Sequence, residues 1–236
     1  MRCLPLFCLL LAMPGANALV LLTEDYPPFN MLEDGRVSGI STQILREAVN
    51  RAGLSAQFDL LPWARSLALA ASRSDTCVYS AVRSAKRESQ FKWIGPLVDD
   101  KIALFARTGS AIRLDSVVDA KQYKVGGYLA DAYGDYVERQ GVPLDRAPAD
   151  RHNLPKLMGG RIDLWVAGVI SGAYKANREG YQGEVRVVIT MGNPGDTQMW
   201  LACNSGMPDA LFQKLDGAVQ SVLQDGTAAG FAARYR

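Results

Sequence analysis

The chain has 236 residues, of which 48% are hydrophobic, and its 26 basic and 24 acidic side chains nearly cancel. The charges are scattered, so the sequence lacks the footprint of a nucleic-acid or anionic-membrane binder. One histidine and four cysteines, none at metal-ligand spacing, leave no zinc motif.

The N-terminus reads as a targeting signal. Arg2 is followed by an apolar stretch from Leu4 to Met13, a break at Pro14-Gly15 and a small-x-small site at Ala16-Asn17-Ala18. The stretch is too short to span a bilayer, and no lipobox precedes Cys8. Residues 1–18 therefore read as a cleaved signal peptide, with a periplasmic product starting at Leu19. No later apolar run has membrane-spanning length; the densest is Leu164 to Ile170. Cys3 and Cys8 leave with the leader. The remaining pair, Cys77 and Cys203, suggests a disulfide in an oxidising compartment, two buried free thiols being the alternative.

In chain order, Val20 to Thr23 reads as a strand running into the rigid turn Glu24-Asp25-Tyr26-Pro27-Pro28-Phe29. Asp34-Gly35 is a turn. A helix follows, capped by Ser41, with Ile40, Ile44, Leu45, Ala48, Val49 and Ala52 on one face and Gly53 at its end. Gln57 to Leu61 is a strand, Trp63 to Ala71 a helix and Asp75 to Val82 a strand. This β-α-β-α-β order predicts a parallel sheet covered by helices. Ile102 to Ala106 is a further strand. After Gly109 the pattern restarts: a short helix from Asp115 to Ala120, a strand from Tyr123 to Tyr128, a helix from Ala132 to Gln140, and a short helix capped by Asn153. Asp163 to Ala167 and Val185 to Thr190 are strands around a helix from Gly172 to Glu179. Gly192-Asn193-Pro194-Gly195 breaks the pattern before a strand from Gln198 to Cys203. A long amphipathic helix, Pro208 to Gln224, and a last helical turn close the chain.

The halves echo each other. Leu69-x-x-Ser72-Arg73-x-Asp75-x-x-Val78 lines up with Leu157-x-x-Gly160-Arg161-x-Asp163-x-x-Val166. Two similarly built lobes would place a ligand in the cleft between them, outside the carboxyl ends of their strands.

Enzyme motifs are missing. His152 lies in a polar stretch and reads as a surface residue, and no G-x-S-x-G, H-E-x-x-H or P-loop pattern occurs. No catalytic residue, metal or cofactor is assigned. Recognition chemistry is richer. Tyr26 and Phe29 sit on the Pro-Pro turn, Trp63 and Arg65 open the second helix, and Ser80, Arg83 and Arg87 lie at or after the third strand. A guanidinium fork suits a carboxylate, and aromatic rings supply flat walls.

These residues make the chain resemble a family 3 extracellular solute-binding protein, the receptor type of polar amino-acid transporters. The resemblance rests on Glu24 to Phe29, Gly39-Ile40, Pro62 to Leu67, Arg83-Ser84-Ala85-Lys86-Arg87-Glu88, Phe91 to Pro96, Gly160-Arg161-Ile162-Asp163 and Leu223 to Gly226, in that order. It implies an α/β fold of two lobes, the type II periplasmic binding protein fold, each lobe a mostly parallel sheet flanked by helices. Lobe one would comprise residues 19–107 and 197–236, and lobe two residues 108–196. Cys77 and Cys203 would then share lobe one. Arg87 would bind the ligand's carboxylate and Tyr26 would stack on the ligand. The loop Leu129 to Ala132, with Tyr128 before it and Asp131 within it, would meet the ligand's anionic end at a helix N-terminus. One departure stands out: Gly168 occupies the place where amino-acid receptors carry the acid that receives the α-ammonium, and Glu24 is the alternative negative charge. The implied protein is a non-enzymatic monomer that binds a small solute for an inner-membrane ABC permease. A sensor role, or a dehydratase-like activity using Glu24, are the rival readings.

Overall fold

A computed structural model describes residues 18–235. Apart from Ala18, the leader assigned to residues 1–18 lies outside the described residues.

The first half contains β1 (Leu19–Thr23), the hairpin β2 (Met31–Glu33) and β3 (Arg36–Ser38), α1 (Ile40–Arg51), β4 (Ala56–Leu60), α2 (Trp63–Ser72), β5 (Thr76–Val82) and β6 (Phe91–Asp99). The second contains β7 (Ile102–Arg107), β8 (Val125–Tyr128), α3 (Ala132–Arg139), β9 (Leu144–Ala147), α4 (Asn153–Met158), β10 (Leu164–Gly168), α5 (Val169–Arg178) and β11 (Val185–Met191). A short α6 (Pro194–Thr197) leads to β12 (Gln198–Asn204), α7 (Asp209–Gln224) and α8 (Thr227–Ala233).

The strands form two five-stranded sheets, ordered β4-β1-β5-β12-β6 and β9-β8-β10-β7-β11. The orders are equivalent position by position. Each sheet has a parallel trio, β4-β1-β5 or β9-β8-β10, generated by the βα repeats visible in the sequence. Each is extended by two antiparallel strands. The strand that crosses from the other half, β12 or β7, pairs directly with the central β5 or β10. The echoed Val78 and Val166 both lie fully buried on those central strands.

This topology corrects the placing of residues up to 107 in lobe one. β7 pairs antiparallel with β10 and β11 in the second sheet. Its residues Ile102 to Ala106 are all buried there, with Phe105 packed on Trp165. The chain therefore crosses between Asp99 and Ile102, and returns between Met191 and Gln198.

Other local expectations shift for identifiable reasons. Ser41 is not the cap of α1: Gly39 is, at φ 108°, and a Cβ there would lie 2.5 Å from the Phe29 carbonyl oxygen. Ser41 is buried and meets the Ser80 hydroxyl at 3.0 Å. Asn153 is likewise not a cap; its amide donates to the Gly127 carbonyl at 2.9 Å. The helix expected over Asp115 to Ala120 is a 3-10 turn at Val117–Gln122, where Ser116 and Asp119 form a capping box. β6 and β9 escape the sequence pattern, whereas β4 and β11, which are edge strands too, do not. β6 also contains Gly95-Pro96, a pair that reads as a breaker and is tolerated only where ladder bonds are not required.

In the first lobe α1 lies against α7 and α8. Ile44, Leu45, Ala48, Leu215, Val219 and Val222 are buried in one apolar cluster. The disulfide joins Cys77 and Cys203, which face each other across β5 and β12 and are fully buried. Among the described residues no helix is long and apolar enough to cross a membrane.

Candidate functional site

The inner cleft lies where β1, β5 and β8 end. Glu24, Tyr26, Trp63, Ser80, Val82 and Arg87 line it from the first lobe; Tyr128, Asp131, Ala132 and Tyr133 line it from the second, with Met199 at the return crossing. The lobes are shut on a space of about 20 Å3, room for roughly one water molecule. A wider outer cleft of about 710 Å3 adjoins it, sharing Val82 and Ala132 and lined further by Arg83, Lys86, Asp135, Glu138 and Asp196.

Backbone geometry aims several of these groups. Ser80 has φ 58° and sits opposite the register shift between Trp200 and Leu201, a bulge in the β5–β12 ladder. Bulges of this kind re-aim side chains. The Ser80 hydroxyl donates to Asn30 Oδ1 at 2.5 Å, and Asn30 in turn holds the Glu24 carbonyl. In the facing lobe Ala130 has φ 60°, a left-handed conformation costly for a residue with a Cβ. Its carbonyl accepts from both Trp63 Nε1 (3.0 Å) and Arg87 Nη2 (2.5 Å). One strained carbonyl thus latches two first-lobe side chains.

Arg87 is 6% exposed. Its other bond runs to the Val82 carbonyl at 3.1 Å, and its guanidinium lies 5.5 Å from the Trp63 ring centre. Among the described residues no carboxylate lies within ion-pair distance of it. Burial lowers its pKa, opposed by the field of Asp131. Glu24 accepts from the Tyr128 hydroxyl at 2.8 Å, across the cleft. Burial pushes the Glu24 carboxyl up to about 8, against the pull of Tyr128 and Lys175. The site thus pairs a buried cation bound only to carbonyls with a buried acid held by a phenol. Among the described residues there is no group of three metal ligands.

Residues 19–236 match the bacterial extracellular solute-binding proteins, family 3. The chain belongs to this family. No curated protein matches the sequence. Solved structures share the fold. An ancestral arginine-binding protein bound to arginine superposes with TM-score 0.83 at 18% identity, covering 93% of this chain and 98% of that one. A histidine kinase sensor domain with similarity to periplasmic binding proteins gives 0.84 at 19%, covering 93% and 96%. The arginine-, lysine-, histidine-binding protein ArtJ from Geobacillus stearothermophilus gives 0.80 at 15%, covering 92% and 94%.

Within this family fold, the expected site residues divide. Glu24, Tyr26, Trp63, Ser80, Arg87, Tyr128, Asp131 and Ala132 meet at the inner cleft. Phe29 does not reach it; it is buried in the core, stacked on Tyr26 with ring centres 6.0 Å apart. Arg65 is exposed on α2. Arg83 stands at the outer cleft, ion-paired with Glu88 at 2.6 Å. At the N-terminus of α3 the amides of Tyr133 and Gly134 are already taken by the Asp131 carboxylate. Tyr133 and Met199 carry no sequence motif; their place follows from the crossings, where the Tyr133 hydroxyl donates to the Asp100 carbonyl.

Gly168 caps α5, outside the cavity lining. Asp100, at the first crossing, accepts from the amides of Ile170 and Ser171 and so fills the space a side chain at 168 would need. A Cβ on Gly168 would collide with the Asp100 carboxylate and lie 2.6 Å from the Tyr26 hydroxyl. Asp100 thus reaches in from the crossing and satisfies two amides of the first turn of α5. Gly168→Ala is expected to cost about 1–3 kcal/mol by overpacking, a fall in Tm of roughly 2–12 °C; thermal unfolding by circular dichroism measures it.

Proposed function

We propose that this chain is an exported, non-enzymatic receptor for a small solute bearing a carboxylate and an ammonium group, an amino acid or close relative. The receptor delivers it to an inner-membrane ABC permease. The carrying observation is Arg87: a buried guanidinium with only carbonyl partners, which a ligand carboxylate would complete in bidentate fashion. Glu24, across the same cavity, takes the ammonium in place of an acid at 168. The arginine bound by the fold's relatives supports an amino-acid ligand. Because the shut space is far smaller than an amino acid, entry requires the lobes to part about the Asp99–Ile102 and Met191–Gln198 crossings, breaking the bonds to Ala130. Closure over the solute then signals occupancy. The histidine kinase sensor domain among the structural relatives favours a second readout, a sensor partner in place of a permease.

A thermal-shift screen of amino acids and organic acids tests this reading, and an absence of any stabilising carboxylate would overturn it. The pH dependence tests the role of Glu24. Its raised pKa means the neutral acid is favoured in the shut cleft, whereas an ammonium requires the carboxylate. Binding then releases a proton. Affinity rises with pH, by up to about tenfold per unit, and levels off above about 8. Calorimetry between pH 6 and 9 should show this slope in the wild type and none in Glu24→Gln.

A further inference from the structure

The Tyr26 ring, a wall of the inner cavity, already carries a cation. Lys175, on α5 of the second lobe, holds its ammonium 4.6 Å from the Tyr26 ring centre and 6.0 Å from that of Trp165. The same ammonium is ion-paired with Asp150, and both side chains are essentially buried, 3% and 1% exposed. Asp150 is fixed in turn by Trp165 Nε1 at 2.9 Å. Two aromatic rings and a carboxylate make an enclosure suited to an ammonium or guanidinium, and the occupant is supplied by the chain itself. The enclosure spans the lobes, because Tyr26 follows β1 and the other members belong to the second sheet and its helices.

We propose that Lys175 is a specificity-determining residue: by filling this cation enclosure it makes the cleft reject solutes with a basic side chain and select neutral or acidic ones. This rests on the reading of the cleft as an amino-acid site, although the enclosure itself can be tested without any solute. A basic side chain directed at Tyr26 meets a fixed like charge and finds Asp150 taken. An acidic or neutral one meets no such repulsion.

The test uses the mature protein. Lys175→Ala removes the occupant and leaves Asp150, Tyr26 and Trp165 in place. n-Propylammonium, which replaces the lost alkylammonium, should raise the Tm of Lys175→Ala by several degrees at tens of millimolar. n-Propanol should not, and the wild type should respond to neither. L-Arginine or L-lysine should bind Lys175→Ala at least tenfold more tightly than wild type. The double variant Lys175→Met with Asp150→Asn, which keeps volume without charge, should show no propylammonium response. If Lys175→Ala is too unstable to purify, its recovery on refolding with propylammonium but not propanol carries the same meaning. No propylammonium effect on either stability or refolding would overturn the proposal, as would wild type binding arginine or lysine as tightly as the variant. A screen in which no carboxylate binds the wild type would remove the amino-acid reading and leave the propylammonium result standing.

Discussion

Replacing both disulfide cysteines, Cys77→Ala with Cys203→Ala, is expected to lower Tm by roughly 10 °C. The two residues are 126 apart in sequence, and closing a loop of that length constrains the unfolded chain by about 4–5 kcal/mol. At about 2–4 °C per kcal/mol for a domain of this size, the shift is large. The bridge also has a specific mechanical place. β12 returns to the first sheet only after the whole second lobe has been built, and it inserts between β5 and β6. The disulfide fastens that late strand to the central one. The size of the effect reports on cooperativity. If the lobes unfold together, the full loop is released in the unfolded state. If the second lobe stays folded, its crossings hold the loop ends close, and the loss falls to a small fraction. Scanning calorimetry of the double variant separates the cases, and a change below about 2 °C in a single joint transition would contradict the entropic account.

The parts of the fold carried by local periodicity were legible in the sequence. β1, α1, β4, α2 and β5 alternate with clear apolar faces and turn residues, and the echo from Leu69 to Val78 and from Leu157 to Val166 marks the equivalent central strands of two sheets. What the sequence did not carry is set by pairing across long separations. β7 looks the same whether it closes the first sheet or enters the second; only its neighbours β10 and β11 decide. The cleft follows the same division. Tyr26, Trp63 and Arg87 lie at strand and helix ends and could be picked out there. Phe29, Arg65 and Arg83 share those positions but point into the core or the solvent, because a shift of one or two residues around a turn or helix reverses direction. Lys175, on a helix, and Asp150, in a 3-10 turn, were invisible, since a charged residue in such places reads as solvated until its tertiary partner is known. That Asp100 reaches in from the crossing and leaves no room for a side chain at 168 was not visible in the sequence.

Arg87→Met should weaken binding of the best-shifting carboxylate solute by about thirtyfold or more. Truncating one member of a desolvated charge pair generally costs about 2–5 kcal/mol, and each 1.4 kcal/mol is about tenfold. Methionine retains an apolar stem against Trp63 but loses the guanidinium fork, so the change isolates recognition from packing. Arg65→Met and Arg83→Met serve as internal controls: Arg65 is exposed and Arg83 is committed to Glu88. Each should alter affinity by less than about threefold, in keeping with the small worth of exposed pairs. The ligand-free protein should respond in a second way. The Ala130 carbonyl loses one of its two donors in Arg87→Met and keeps only Trp63, so the lobes should part more readily. Small-angle scattering without solute would then show a larger radius of gyration for the variant than for wild type, while both contract with saturating solute. Equal affinity losses in Arg87→Met and Arg83→Met would move the carboxylate site to the outer cleft. Loss of affinity without any change in the ligand-free dimensions would confine Arg87 to ligand contact and remove it from the latch.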